Sequence, residues 1–343
     1  KIIIIFSFLQ IFFCTLSAPI IHHMINNEHN FLDDVFFVFV HFSPKKIQFG
    51  EYKYLIFIQS ILLILLSSIL FFMFFAFQRG HHIPKWISSL RGFLIFFSPT
   101  CVIIPIMFHV SFAIRSISDP DCSSINVTVT IVFSIALLIA YLSLVIWVSP
   151  LLLKTPFLSM AHVPSPLLPD LSHLRFSIVY VLMLTISITS ATERSLIFFI
   201  AFSPILGIYQ FITIWKKPYS SMLDTVFCLS ISLSMISNPL LYLIPYCSDR
   251  MSDGLYLGVM IAIFVFFIIL TYILFAYRQN TTLNYIRSNS FKHISKNNLL
   301  FYAQTALLYG VNSQDLLKEI YEYYKVNSSI DLLIIYCFYF NLC

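Results

Sequence analysis

Eight apolar stretches, almost free of charged side chains, constrain the fold of this chain more than any other feature. The hydrocarbon core of a bilayer is about 30 Å thick, so an α-helix needs about 20 apolar residues to cross it. Inside the bilayer every backbone polar group must be hydrogen-bonded within the protein, which favours helices. The sequence therefore predicts an all-α, polytopic transmembrane helix bundle with spans near 2–21, 54–77, 92–114, 127–148, 176–191, 195–215, 223–244 and 255–277.

The composition excludes the soluble classes of protein. Only 10% of the 343 residues are charged and 59% are hydrophobic, whereas a soluble domain carries about 25% charged residues. A cytosolic enzyme, a nucleic-acid-binding protein and a secreted disulfide scaffold are therefore excluded. The sequence has no phosphate-binding loop, nucleophile elbow or zinc-ligand spacing, so we expect no catalytic site, cofactor or metal in this chain.

The basic residues indicate which ends of the spans face the cytoplasm. Lys and Arg near span ends are enriched on the cytoplasmic side of a membrane. With both termini inside, that side holds 14 of the 20 basic residues, and Asp224, at a span edge, is the only charge within the spans. The sequence therefore predicts eight spans, with both termini cytoplasmic and the plasma membrane as the expected location.

The first span leaves two interpretations open. Lys1, the apolar run after it and Leu16-Ser17-Ala18 are typical of a secretory signal peptide. Pro19 would follow the cleavage point and disfavours it, so a retained helix is the favoured interpretation. The chain also starts with Lys instead of Met, which is compatible with a fragment of a longer protein.

Three segments outside the spans differ from them in length, charge or helical pattern. Residues 31–42 are apolar but too short to span, which predicts a helix lying at the outer surface. Residues 278–297 form a basic juxtamembrane linker, which we expect to attract anionic lipid of the inner leaflet. The pattern of residues 298–343 predicts cytoplasmic helices that resemble the start of an α–α repeat. Within it, residues 330–342 are expected to contact a second copy of the chain or partner helices. The linker's basic residues are Arg278, Arg287, Lys292 and Lys296.

Two stretches carry a resemblance to a known family. Residues 32–69, LDDVFFVFVHFSPKKIQFGEYKYLIFIQSILLILLSSI, resemble the opening of the large multi-pass adenylate/guanylate cyclases of trichomonad-type protists. Residues 299–340, LLFYAQTALLYGVNSQDLLKEIYEYYKVNSSIDLLIIYCFYF, are similar to the helices that follow the membrane bundle of these proteins. The resemblance implies the non-catalytic membrane or sensor region of a signalling protein. No cyclase domain follows here, so no nucleotide-binding or metal-binding residue is carried over.

Polar side chains recur along two of the spans. Ser230, Ser234 and Ser237 share one face of the seventh span, directly before Asn238 and Pro239. Small polar residues of this kind hydrogen-bond across packed helices, at about 0.6–2 kcal/mol each. The alternative is a polar cavity of a small-solute transporter or channel, where Pro239 breaks the helix and frees backbone carbonyls. The fifth span repeats the pattern with Thr185, Thr189 and Thr192.

Two of the seven cysteines are predicted to lie outside the membrane. The topology places Cys122 and Cys247 in short outer loops, where an oxidising compartment permits a disulfide. A Cys122–Cys247 bond would tie the hairpin of spans three and four to that of spans seven and eight. The spacing of Cys122 and Cys247 in the sequence does not itself indicate a disulfide, so the bond is a hypothesis.

Overall fold

The structure is a computed structural model that describes part of the chain. The described residues are 9–26, 28, 31–32, 34–35, scattered positions between 61 and 87 and between 132 and 139, 180, 182–184, 186–188, 190–216, 218, 222–248, 252–288, 299–309 and 314–327. All regular secondary structure within these ranges is helical, which confirms the all-α class for them. Most of the predicted spans 54–77, 92–114 and 127–148 lies outside the described residues.

Six helices within the described residues are long enough to number. Three of them, α2, α3 and α4, are long and apolar enough to cross a membrane, which indicates a membrane protein. These three helices do not establish all eight of the predicted spans. The helices are α1 (Ser17–Asn26), α2 (Glu193–Lys216), α3 (Met222–Ser248), α4 (Asp253–Arg287), α5 (Leu299–Leu308) and α6 (Gln314–Asn327).

Helices α2 and α3 pack antiparallel and very closely, because a short connection joins them and small residues line their contact. Ser203 and Gly207 lie one turn apart on α2, the small-xxx-small spacing that lets helix backbones approach. A Cβ atom added to Gly207 would lie 2.7 Å from the backbone oxygen of Ser232 on α3. Position 207 therefore requires the absence of a side chain.

Residues 9–26 form the buried centre of the described bundle, although their helix is interrupted. A turn at Thr15 and Leu16 separates helical residues 9–14 from α1. Pro19 explains the turn, because its ring displaces the carbonyl of Thr15 four residues earlier and it has no N–H to donate. The Phe12 ring stacks on Phe264 of α4 with 4.2 Å between centroids. Whether this first segment is retained or removed as a signal peptide stays a prediction.

Helix α4 is the longest element and extends beyond its predicted span. Its 35 residues correspond to a rod of about 52 Å at 1.5 Å per residue. The sequence places the end of the span at residue 277, where hydropathy falls, but the helix continues to Arg287. Thr282, Leu283 and Ile286 are buried in this extension, and α5 packs against it. The first part of the predicted basic linker is therefore helical.

We expect Gly207→Ala to lower the thermal stability of the purified protein by several degrees. The new Cβ meets backbone as well as side chain on α3, so the two helices must separate, and overpacking of this kind costs about 1–3 kcal/mol. Gly258→Ala on α4 is the matched control, since nothing lies within 4 Å of its added Cβ. Thermal unfolding in detergent measures both variants. An equal stability for the two would contradict the close approach of α2 and α3.

Candidate functional site

Asn238 connects the first segment to α3 and α4 inside the bundle. Its side-chain Nδ2 donates to the hydroxyl of Thr15 at 2.6 Å, and that hydroxyl donates onward to the carbonyl of Phe12. The Tyr256 hydroxyl on α4 donates to the backbone carbonyl of Asn238 at 3.4 Å. Asn238 and Thr15 are fully buried. Asn238 therefore joins three helical segments, to Thr15 through its side-chain amide and to Tyr256 through its backbone carbonyl.

The serines predicted to share a polar face of α3 also have partners. The hydroxyls of Ser230 and Thr271 on α4 lie 2.9 Å apart. Ser234 donates to the carbonyl of Ser230 at 3.0 Å, and Ser237 donates to the side-chain oxygen of Asn238 at 3.3 Å. The contact of Ser230 crosses between helices, whereas those of Ser234 and Ser237 stay within α3. These bonds use the polar groups for helix packing and helix geometry.

Pro239 lies inside α3, which continues to Ser248, so the predicted helix break at this residue is wrong. A proline cannot donate to the carbonyl four residues earlier, which here belongs to Met235. The hydroxyl of Ser203 on α2 donates to that carbonyl at 3.0 Å. The neighbouring helix thus supplies the hydrogen bond that Pro239 removes, as is typical of prolines in membrane helices.

Several predicted site residues cannot be placed. Cys122, Thr185, Thr189, Lys292 and Lys296 lie outside the described residues. The backbone of Cys247 lies in the last turn of α3, but its side chain is outside the description, so the disulfide stays a hypothesis.

Thr192, the third threonine of the span-five pattern, caps α2. Its backbone N–H donates to the hydroxyl of Ser195 at 2.9 Å, and the backbone N–H of Ser195 donates back to the Thr192 hydroxyl at 3.3 Å. This reciprocal arrangement satisfies amides that a helix start leaves without a partner. The role of Thr192 is therefore to define where α2 begins.

The start of α4 contacts the end of α1. His23 Nε2 lies 3.7 Å from a carboxylate oxygen of Asp253, and the side chain of His23 is buried. The rings of Tyr242 on α3 and Tyr256 on α4 meet edge to face at 5.9 Å. The predicted topology assigns this end of the bundle to the outer side. The His23–Asp253 contact could not be predicted from the sequence, because the two residues are far apart in the chain.

Arg278 contacts aromatic rings from two other helices. Its guanidinium carbon lies 4.8 Å from the ring centroid of Trp215 on α2 and 3.8 Å from that of Phe301 on α5. The same side chain donates to the backbone carbonyl of Trp215. Phe275 meets both rings edge to face. We call Trp215, Phe275, Arg278 and Phe301 the Arg278 cluster.

The Arg278 cluster joins α2, α4 and α5 at the end of the bundle opposite His23. The sequence predicted Arg278 as a lipid-facing member of a basic linker, whereas the side chain is half-buried between rings. A guanidinium keeps its charge and stacks well on aromatic faces, for about 0.5–2 kcal/mol per contact. Arg287, the next basic residue, is exposed.

Tyrosines extend this contact between α4 and α5. The rings of Tyr285 and Tyr302 meet at 5.8 Å, and the hydroxyl of Tyr309 donates to Gln279 at 3.4 Å. Burial raises the pKa of Tyr302 above its ordinary value, the Tyr285 phenol adds to the rise, and Arg278 opposes it. Tyr302 therefore stays a neutral phenol at physiological pH, and the charge of Arg278 is met by rings and a carbonyl.

Comparisons with known proteins assign no family. No protein-family model, curated protein or solved structure matches the chain. The resemblance to the membrane region of multi-pass cyclases therefore depends only on residues 32–69 and 299–340. Within the described residues no group of three or more His, Cys, Asp or Glu is placed to hold a metal ion. The contacts seen here position helices.

We expect Thr15→Val and Asn238→Leu to couple in a double-mutant cycle of unfolding free energy. The hydrogen bond between them is short and buried, so the coupling should reach about 0.6–2 kcal/mol. Thr15→Val combined with Thr281→Val is the control, since Thr281 is exposed near the far end of α4 and bonds to the Tyr277 carbonyl of its own helix. Those two changes should add to within about 0.5 kcal/mol. Additivity of the Thr15 and Asn238 changes would rule out the bond.

Proposed function

We propose that this chain is the non-catalytic membrane region of a signalling protein. In this proposal a change at the outer end of the bundle is passed along α4 to the cytoplasmic helices α5 and α6. One observation carries the proposal: α4 runs without interruption from Asp253 to Arg287 and contacts other helices near both ends.

The two sets of contacts are linked by a stiff element. Asp253 and Tyr256 meet α1 and α3 near the first turn of α4. Arg278 meets α2 and α5 about 33 Å beyond Tyr256 and about 38 Å beyond Asp253 along the helix axis. The backbone hydrogen bonds of a helix resist stretching, so a shift or rotation at Asp253 is transmitted to Arg278. A linker of coil would absorb such a shift.

The free energy of the Arg278 contacts is small enough for a conformational signal to break them. Two cation–π contacts and one hydrogen bond to Trp215 give a few kcal/mol at most. Coupling free energies between sites in allosteric proteins are typically about 1–3 kcal/mol. Contacts of this size hold α5 in place and still allow a signal to release it.

The resemblance to multi-pass cyclases supports a signalling role. In that family the membrane bundle and its following helices precede a catalytic domain, so catalysis would belong to such a domain. The alternative, a transport pathway along the polar faces of spans five and seven, has less support. Ser230 and Asn238 are hydrogen-bonded to neighbouring helical segments, as expected of residues that stabilise packing.

We expect His23→Gln at the outer end to speed amide hydrogen exchange in α5. Loss of the contact between the His23 ring and the Asp253 carboxylate loosens the start of α4, and protection of residues 299–308 should fall about fivefold, or about 1 kcal/mol. In an Arg278→Ala background α5 should already exchange faster, and His23→Gln should add nothing. Exchange measured by mass spectrometry in lipid nanodiscs compares all four proteins.

Ile261→Ala is the control, because this side chain is exposed on α4 between the two sets of contacts. It should leave the exchange of α5 unchanged. An effect of His23→Gln that persists in the Arg278→Ala background would contradict transmission through Arg278. No effect of His23→Gln in either background would contradict transmission along α4.

A further inference from the structure

A buried histidine and a carboxylate meet where α1 ends and α4 begins. The side chain of His23 is buried, and its Nε2 lies 3.7 Å from a carboxylate oxygen of Asp253. This separation is longer than an N–H···O hydrogen bond, which spans about 2.7–3.2 Å, but short enough for an ion pair. A neutral His23 ring therefore gains little from Asp253, whereas a protonated ring gains a charge–charge attraction.

The two residues lie at helix ends that suit opposite charges. His23 is in the last turn of α1, and Asp253 is in the first turn of α4. The carbonyl end of a helix attracts a positive side chain, and the amide end attracts a negative one. Burial of the His23 ring opposes its charge, and the nearby carboxylate and the end of α1 offset that cost. The side chain of Asp253 is 27% exposed, so protons can reach the contact from solvent.

Other titratable side chains lie close to this contact. The ring centroid of His22 is 6.2 Å from that of His23, and the His22 ring is hydrogen-bonded to Asn26. Tyr242 of α3 faces His22, and Tyr256 of α4 meets Tyr242 edge to face. Of these side-chain types only histidine ordinarily titrates between about pH 5 and 8, so His22 is the group to control for. The exposed charged residues described between α1 and residue 35 and at the start of α2 are Glu28, Asp34, Glu193 and Arg194.

We propose that protonation of His23 closes an ion-pair clamp with Asp253, so that acid on the side predicted to be outer tightens the junction of α1 and α4. Below the titration range of histidine the imidazolium attracts the carboxylate, and as the pH rises through that range the attraction is lost. The clamp itself requires only the contact between these two side chains. Its use as a signal rests on the proposed function, in which α4 carries a change at this end to α5.

Amide hydrogen exchange in the first turns of α4 tests the clamp. The full chain in lipid nanodiscs is measured at about pH 5.5 and about pH 8, and the exchange of residues 253–262 is corrected for its intrinsic dependence on pH. We expect these amides to be about three- to tenfold more protected at the lower pH, the effect of one partly exposed ion pair between two favourable helix ends. His23→Gln and Asp253→Asn should each abolish the difference between the two pH values.

His22→Gln is the matched control, because this neighbouring ring is also a histidine and is hydrogen-bonded to Asn26. It should leave the pH difference at residues 253–262 unchanged. A difference that persists in His23→Gln, or one that is lost in His22→Gln, would assign the titration to another group and overturn the proposal. Equal protection of the unaltered chain at the two pH values would overturn it as well.

The exchange of α5 in the same samples separates the clamp from the signalling role. A pH difference that appears at residues 253–262 and again at residues 299–308 supports both. The loss of α5 protection expected of His23→Gln should then be larger at the lower pH. A pH difference confined to the start of α4 supports the clamp and contradicts transmission along α4.

Discussion

The continuity of α4 is the constraint on which the rest of the structure depends. Between Asp253 and Arg287 the sequence has no proline, and its two glycines lie within the first six residues. Nothing interrupts the backbone hydrogen bonds where the apolar span ends, so the helix leaves the bundle without a break. The contacts of Arg278 with Trp215 and Phe301 then fix the positions of α2 and α5 relative to this rod.

The interior of the bundle is held by a few polar contacts among many apolar ones. Lipid chains are as apolar as Leu or Ile, so burial of such side chains between helices gains little over their exposure to lipid. Close approach at Gly207 and hydrogen bonds such as Asn238–Thr15 therefore contribute more to specificity than they would in water. The same logic accounts for Pro239, because the Met235 carbonyl that Pro239 leaves without its helical N–H donor accepts from the Ser203 hydroxyl of the neighbouring helix.

The sequence predicts the helical class and the position of the apolar helices, because hydropathy is a local property. The sequence does not predict which side chains contact each other across different helices. Asn238 and Pro239 stand out in the sequence, but whether they line a cavity or a contact depends on Thr15 and Ser203, which lie on other helices.

The largest difference between sequence and structure concerns Arg278. A drop in hydropathy suggests a boundary there, and the basic residues after it suggest a lipid-facing linker. Helix continuation depends on backbone geometry, which a charged side chain does not disturb, and two rings from distant parts of the chain cover the guanidinium. Arg278 therefore belongs to the protein interior as much as to the basic segment.

The distance between the two ends of α4 tests the account most directly. Spin labels attached through non-natural amino acids at Leu255 and Asn284, both exposed, leave the native cysteines untouched. A single unbroken helix sets their backbone separation at about 44 Å, so pulsed electron resonance in nanodiscs should give one narrow distribution near that value. A broad distribution, or one centred well below it, would mean that α4 breaks at the membrane boundary and would contradict transmission through it.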